Sequence, residues 1–458
     1  MTRRLASLLA ASTVTVSTVL LSAPALRAEE VPLQPEGTRL ATNSYRIDLF
    51  QGPVLGGGRV TGLGGAYAPI AEGVAGFANN SASPAVRPLW SHSWFDFDWD
   101  LGVTFPNLLA RTDFYNTGQQ GLSYRNFFFA TAGLNLQFGN WGVGFNVAGQ
   151  TYSLGGVDAP SALQLQLART TALLARSLFD GQLVIGAGVR IASFAFNATE
   201  GGSQKNLFST TSAGSEAGVL VAPNKLPVRF ALTARSVMNP DAPQDSPDLK
   251  RDGAGQAYVG GRNNWYLPTS VELPWEVEGG FALQLGPRPL NQPWVNTHHP
   301  PDEYLEETRL PDGGVIRKKN TSYVEKKVAE KYRALPRQKL LIVGSVLVSG
   351  PVKDAIGLES FLSQYVQRSG RRPVVTPRLG VEAEPFANAI QVRAGTYLEP
   401  SRFADRSPRL HGTLGLEVRL FRWNVFGLVD DDTSWRIGGY GDAARGYVNV
   451  GVTAGVWH

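Results

Sequence analysis

Phe95-Asp96-Phe97-Asp98-Trp99-Asp100-Leu101-Gly102-Val103-Thr104-Phe105 alternates without a miss: every odd position is apolar and every even one is acidic, small or hydroxylated. A period of two over about ten residues is the pattern of a strand with one apolar and one polar face. The run Val271 to Leu285 repeats it, with Glu272, Glu276 and Glu278 on the polar face. Three carboxylates on one face are incompatible with a dry packed core, so that face is expected to line a wet interior.

Other runs keep the same beat. Trp141, Val143, Phe145 and Val147 alternate with glycine and asparagine, Leu163, Leu165 and Leu167 with Gln164 and Gln166, and Leu414 to Leu420 with Gly415, Glu417 and Arg419. A last run, Val448 to Val456, ends against Trp457. Weaker candidates lie at 124–138, 182–197, 214–222, 227–237, 339–349, 374–384, 389–398 and 435–440, and Asp180-Gly181 marks a tight hairpin. About fourteen strands result, an even number, as an antiparallel bacterial barrel requires.

Alternation does not say which face is outside, and a soluble β-sandwich also alternates. The N-terminus decides. Thr2, Arg3 and Arg4 precede the apolar stretch Leu5 to Leu21, followed by Ala23, Ala25 and Ala28, the order of a cleaved secretion signal within residues 1–28. Cleavage after Ala25 and after Ala28 both remain open. Cysteine is absent, which excludes a disulfide framework and a lipoprotein anchor. Loss of Arg3, Arg4 and Arg27 takes the net charge from +5 to +2, so no nucleic-acid surface is expected. Beyond the signal no segment approaches the roughly 18 apolar residues of a membrane helix, so spanning must use strands, and strands in lipid must close on themselves. Trp94, Trp141, Trp265, Trp423 and Trp457 are candidates for interfacial girdles. The fold expected is all-β: an integral outer-membrane antiparallel barrel over residues 91–458.

Two segments break the rhythm. Residues 302–339, within a long charged loop at about 286–338, carry ten Lys or Arg and seven acids, where the chain as a whole is 18% charged. Val324, Val328 and Tyr332 fall there at helical spacing. Leu358, Phe361, Leu362 and Tyr365 mark a second short helix within Asp354 to Ser369. If 339–349 is a single strand, these two excursions leave the barrel on opposite sides.

Residues 29–90 are too glycine-rich for a helix. A dinucleotide loop at Gly62, Gly64 and Gly65 fails for want of the third glycine and a βαβ unit. The order Arg59, Gly62-Leu63-Gly64-Gly65-Ala66-Tyr67, Glu72, Asn79-Asn80 and Ser83-Pro84-Ala85 resembles the long-chain fatty acid (FadL-like) outer-membrane transporters and related secretion-associated barrels. It departs from them in having one acid where a pair is usual and in separating Asn from Pro-Ala. Leu267-Pro268, Pro377 to Glu382 and Val392 to Tyr397 look like later strand signatures of the same family. The resemblance implies fourteen strands, an N-terminal lumenal hatch, passive passage of hydrophobic compounds through an opening in the wall, and Arg59, Gly62, Gly64, Gly65, Tyr67, Asn79, Asn80 and Pro84 as hatch or gating residues. Glycine also suits a hatch on physical grounds, because chain folded inside a barrel must turn tightly.

G-x-S-x-G, H-E-x-x-H and a cysteine nucleophile are missing, so no catalytic residue, cofactor or metal is expected. The adjacent loop residues His298 and His299 are more simply solvated than metal-bound, and His92 and His411 are the strand-associated histidines. Asp96, Asp98, Asp100, Glu272, Glu276 and Glu278 are expected to line a hydrated lumen. The partners expected are outer-membrane lipid, a hydrophobic small molecule and, in a structural or secretion-associated alternative, a protein docking on loop 302–339.

Overall fold

The computed structural model describes residues 32–457 apart from 90, 92, 119–121, 157–161, 243–248, 262–263, 310–314 and 425–432; the expected signal at 1–28 and His92 lie outside the described residues. Fourteen antiparallel strands close into one barrel. They are β1 (Phe95–Phe105), β2 (Leu122–Phe138), β3 (Trp141–Gly156), β4 (Ala162–Leu178), β5 (Leu183–Glu200), β6 (Ser203–Val221) and β7 (Val228–Arg235), followed by β8 (Glu276–Leu285), β9 (Leu340–Ser349), β10 (Val374–Phe386), β11 (Ile390–Glu399), β12 (Arg409–Arg422), β13 (Ser434–Ala444) and β14 (Tyr447–Trp457). Each pairs with its sequence neighbours, and β14 returns to β1 with Asp100 opposite Gly455, so no edge is left open. Each alternating run of the sequence became one of these strands except Val271 to Leu285, of which only Glu276–Leu285 did. No helix among the described residues is long and apolar enough to cross a membrane, which says nothing about strands.

An even strand count puts both barrel termini at one end. There the connections are mostly short, as at Gly139-Asn140 and Phe179–Gln182, where Phe179, Asp180 and Gly181 take positive φ. The opposite end carries long loops at 106–121, 236–275 and 350–373. Toward the short-turn end the outer face is apolar, with Phe145, Leu174, Ile185 and Val189 exposed, and its rim carries Phe95, Trp141, Phe179 and Trp423. Two tryptophans expected in that girdle lie elsewhere: Trp265 is fully buried in the 236–275 loop, and Trp457 is buried facing inward.

Strands β4 to β6 run to 17, 18 and 19 residues, far more than a bilayer needs. Beyond the apolar band their phase inverts. Leu163, Leu165 and Leu167, expected outside, are buried inside with Phe194 and Phe196, while Gln166, Gln204 and Thr211 face out. Past the lipid the outer wall meets water, and the apolar side chains turn to the lumen.

Val271 to Leu285 is not one strand. Pro274 cannot donate to a ladder, and pairing breaks there. Ser270–Glu272 instead pairs in parallel with Arg46–Asp48, which also pairs with Ala355–Gly357, in a small sheet at the long-loop end. The two excursions do leave from opposite ends, because β9 is the single strand between them. Segment 286–339 lies at the short-turn end, where α2 (Thr321–Arg333) buries Val324 and Val328 against Tyr304. The second helix, α3 (Leu358–Ser363), is only six residues long; it stops at Gln364 in the left-handed region, which leaves Tyr365 exposed.

Candidate functional site: a stoppered lumen

The N-terminal segment runs through the lumen from one end to the other. Gly37 N donates to Val366 O (2.8 Å) and Leu40 N to Gln364 O (2.7 Å) at the long-loop end. At the far end Arg87 donates to the carbonyls of Gly139 (2.8 Å) and Trp94 (2.9 Å). Between them a short helix, α1 (Gly58–Gly62), packs on β11 to β14. Gly64 and Gly65 then turn the chain with φ of 64° and 78°. Gly62 lies so close to the wall that a Cβ there would be 3.1 Å from the Gly415 Cα. The inner-wall glycines answer it: a Cβ at Gly142 would overlap the Pro84 carbonyl, and one at Gly186 the Ser81 carbonyl. The glycines that alternate with apolar residues in β3 and β5 are therefore the seat of the plug and do not line open water.

Polar side chains fasten this segment. The Asn79 amide donates to Gly65 O (3.3 Å), and Asn80 donates to Ala68 O (3.1 Å) and to Val219 O on the wall (3.2 Å). Gln137 donates to the carbonyls of Pro84 and Val86, both at 2.8 Å. Arg59 donates to Glu382 (2.7 Å), to Glu72 (3.0 Å) and to the Tyr67 hydroxyl (3.0 Å). Arg229 reaches Glu72 (2.8 Å); Arg393 and Lys339 both reach Glu382 (2.7 Å). Arg393 and Arg436 share Glu417, and Arg436 also pairs with Asp100. Arg229, Lys339, Glu382, Arg393, Glu417 and Arg436 escaped sequence reasoning. Their one signal was a charge at an inward position of an alternating strand.

The six acids expected to line a hydrated lumen are spread along the molecule. Asp98 accepts from Val74 N of the plug (3.0 Å), and Asp100 belongs to the ion network. Glu278 accepts from Ser345 (2.8 Å) and Arg378 (3.1 Å), and Glu276 pairs with Arg235 (3.3 Å). Half-buried Asp96, at the rim, accepts from Phe97 N (2.9 Å). Glu272 lies off the barrel wall in the small sheet, paired with Arg46 (2.8 Å). Buried carboxylates need such partners, so these acids fasten the structure together.

Above the plug, the long-loop half of the lumen is apolar. Phe114 lies 4.9 Å from Phe127 between ring centres, Phe127 4.6 Å from Tyr152, and Phe196 4.6 Å from Phe208; Phe361 of α3 closes over the last pair. The buried Glu359 of α3 accepts from Thr117 and from Tyr124 (3.1 Å), and burial pushes its carboxyl pKa up to about 7. Deeper, His411 is held between Asp442 (2.8 Å) and Glu399 (2.7 Å) and stacks on Tyr397 at 4.2 Å. Both its ring nitrogens are engaged, leaving none to activate a nucleophile. His298 stacks on Trp94 at 4.8 Å. Below the plug a cavity of about 110 Å³ is bounded by Arg59, Arg288, Lys339, Arg393, Arg436 and Trp457, among others.

A closed barrel, a chain threaded through it and a packed apolar cluster above define a stoppered antiparallel β-barrel. No protein-family model matches the chain, and no curated protein matches it in sequence. Among solved structures it is similar to the TodX deltaS2S3 mutant monoaromatic hydrocarbon channel, at 12% identity and a TM-score of 0.50 over 87% of this chain and 98% of that one. It is also similar to the P. putida toluene transporter TodX (10%, TM-score 0.49, 88% and 98%) and to a Pseudomonas aeruginosa FadL homologue (11%, 0.49, 89% and 98%). The chain shares the fold of the TodX mutant channel; at such identity the likeness is one of fold.

Proposed function

We propose that this protein is an integral outer-membrane channel for passive uptake of hydrophobic compounds, fatty acids or small hydrocarbons among them. An export signal in residues 1–28 delivers it, residues 29–90 form the hatch, and residues 91–458 form the barrel. The observation that carries this reading is the apolar cluster in which Phe114, Phe127, Phe194, Phe196, Phe208 and Phe361 pack together inside a barrel lumen. A channel for hydrophilic solutes keeps its lumen polar and wet; the long-loop half of this lumen is instead filled with apolar side chains, the chemistry that suits an apolar ligand. The TodX mutant to which the chain is similar is a monoaromatic hydrocarbon channel, which agrees with that chemistry and leaves the compound here open. Arg59, Gly62, Gly64, Gly65, Tyr67, Asn79, Asn80 and Pro84 hold the hatch, and their movement opens the way.

Uptake of labelled dodecanoate and decane by a host lacking its own transporter tests this. Wild type restores uptake of at least one of them. Gly65→Trp, placed where φ is 78° and a Cβ would lie 2.8 Å from the Val54 Cγ2, reduces it strongly. Uptake equal to that of the empty host contradicts the channel, and wild-type uptake by the variant contradicts gating at Gly65.

A second reading rests on the hairpin of Glu306–Arg309 and Val315–Lys318, which leaves Val315 and Ile316 exposed at the short-turn end beside Arg317 and Lys318. That surface supports docking of a protein partner, as a secretion-associated barrel requires, and crosslinking from Ile316 in cells tests it.

A further inference from the structure

Around the cavity below the plug, the charges do not balance. The acids lining it are Glu72, Asp98 and Glu417, with Asp100 and Glu382 paired behind them; the lining cations are Arg59, Arg288, Lys339, Arg393 and Arg436, with Arg229 paired behind. Every one of these cations except Arg288 contacts at least one of the carboxylates. Among the described residues no carboxylate lies within ion-pair distance of Arg288, although it is half-buried and burial pushes its pKa below the ordinary arginine value. Its backbone is pinned: Gln284 donates to its carbonyl (2.7 Å), and Pro287 and Pro289 flank it. A second observation points to the same cavity. Arg393 is 3% exposed, and its Nη1 is buried without a hydrogen-bond partner, while its other nitrogens hold Glu382, Glu417 and Gln391.

An unpaired half-buried cation and an orphaned buried guanidinium donor are costly unless an anion meets them. A volume of about 110 Å³ has room for an oxyanion-sized group. We propose that this cavity is a binding site for a single oxyanion, a carboxylate or phosphate group, received by Arg288 and Nη1 of Arg393 on the short-turn side of the plug. The same chemistry arises from the head of an amphiphile or from a free inorganic anion. Binding there does not depend on the channel reading, since a non-transporting protein would bind the anion equally.

The test is calorimetric titration of the full-length barrel in an uncharged detergent with decanoate, decanol and inorganic phosphate. Arg288→Gln is the variant, because it breaks no ion pair; Lys318→Gln on the exposed hairpin is the control. At least one of the two anions binds wild type and loses about tenfold or more in affinity in Arg288→Gln, as expected for a charge-assisted pair, and decanol is unaffected. Decanoate bound without phosphate identifies an amphiphile head, and phosphate bound identifies a free anion. No anion binding to wild type, or equal anion binding by Arg288→Gln and wild type, overturns the site. Hydrocarbon uptake by Arg288→Gln stays at the wild-type level, so the channel reading fails or stands separately.

Discussion

At the scale of single residues, the plug and wall are fitted by what is missing as much as by what is present. Gly142 carries no side chain because the Pro84 carbonyl occupies that space. Gly142→Val is expected to push the 82–86 segment off the wall, at a cost of roughly 1–3 kcal/mol for overpacking. Hydrogen exchange checks it: amides 82–86 exchange faster than in wild type, while Gly412→Ala, which has nothing within 4 Å of its added Cβ, leaves them unchanged. The sequence displayed these glycines as one half of an alternating strand, without showing which segment lies against them. It also placed Glu417 and Arg419 inward without naming partners. Arg59 meets Glu382 across 323 positions of chain, and no local pattern carries such a pairing.

At the scale of elements, period two marked every barrel strand, because a pleated strand facing two environments leaves that trace wherever it runs. It could not mark the phase. In β4 and β5 the apolar face changes sides where the wall leaves the lipid, an event set by membrane thickness rather than by the strand. Nor did it mark the break at Pro274, where the alternation continues while the partner changes. The cap of α3 carries its own pH dependence. A buried carboxyl at about 7 against an ordinary 4.5 stabilises the closed cap fully below about 4.5, and that contribution is lost as pH rises through 7. The groups facing Glu359 are Thr117, Tyr124 and, at longer range, Asp113, whose charge acts in the same direction. Limited proteolysis of loop 350–373 is therefore expected to be faster at pH 8.5 than at pH 5.5, by an opening free energy of at most about 3 kcal/mol. Glu359→Gln removes most of the difference; an unchanged pH dependence in that variant contradicts the assignment.

At the scale of the molecule, the threaded N-terminal segment sets the topology. Apart from segment 286–339, short turns at one end and long loops at the other are the asymmetry of outer-membrane barrels, with the long loops facing outward. The Gly37 turn lies at the long-loop end, has φ of 76°, and has nothing within 4 Å of an added Cβ. An epitope inserted at Gly37 is expected to bind antibody on intact cells, whereas one inserted beside Ile316 needs permeabilised cells; the reverse result inverts the orientation. The closed state of the whole barrel rests on residues 50–89 filling its lumen, and electrical conductance in a planar bilayer tests that most directly. Wild type is expected to stay near silent to potassium chloride, and a variant lacking residues 50–89 to conduct as an open pore. Steady porin-like conductance by wild type, equal to that of the deletion, would contradict the stoppered barrel.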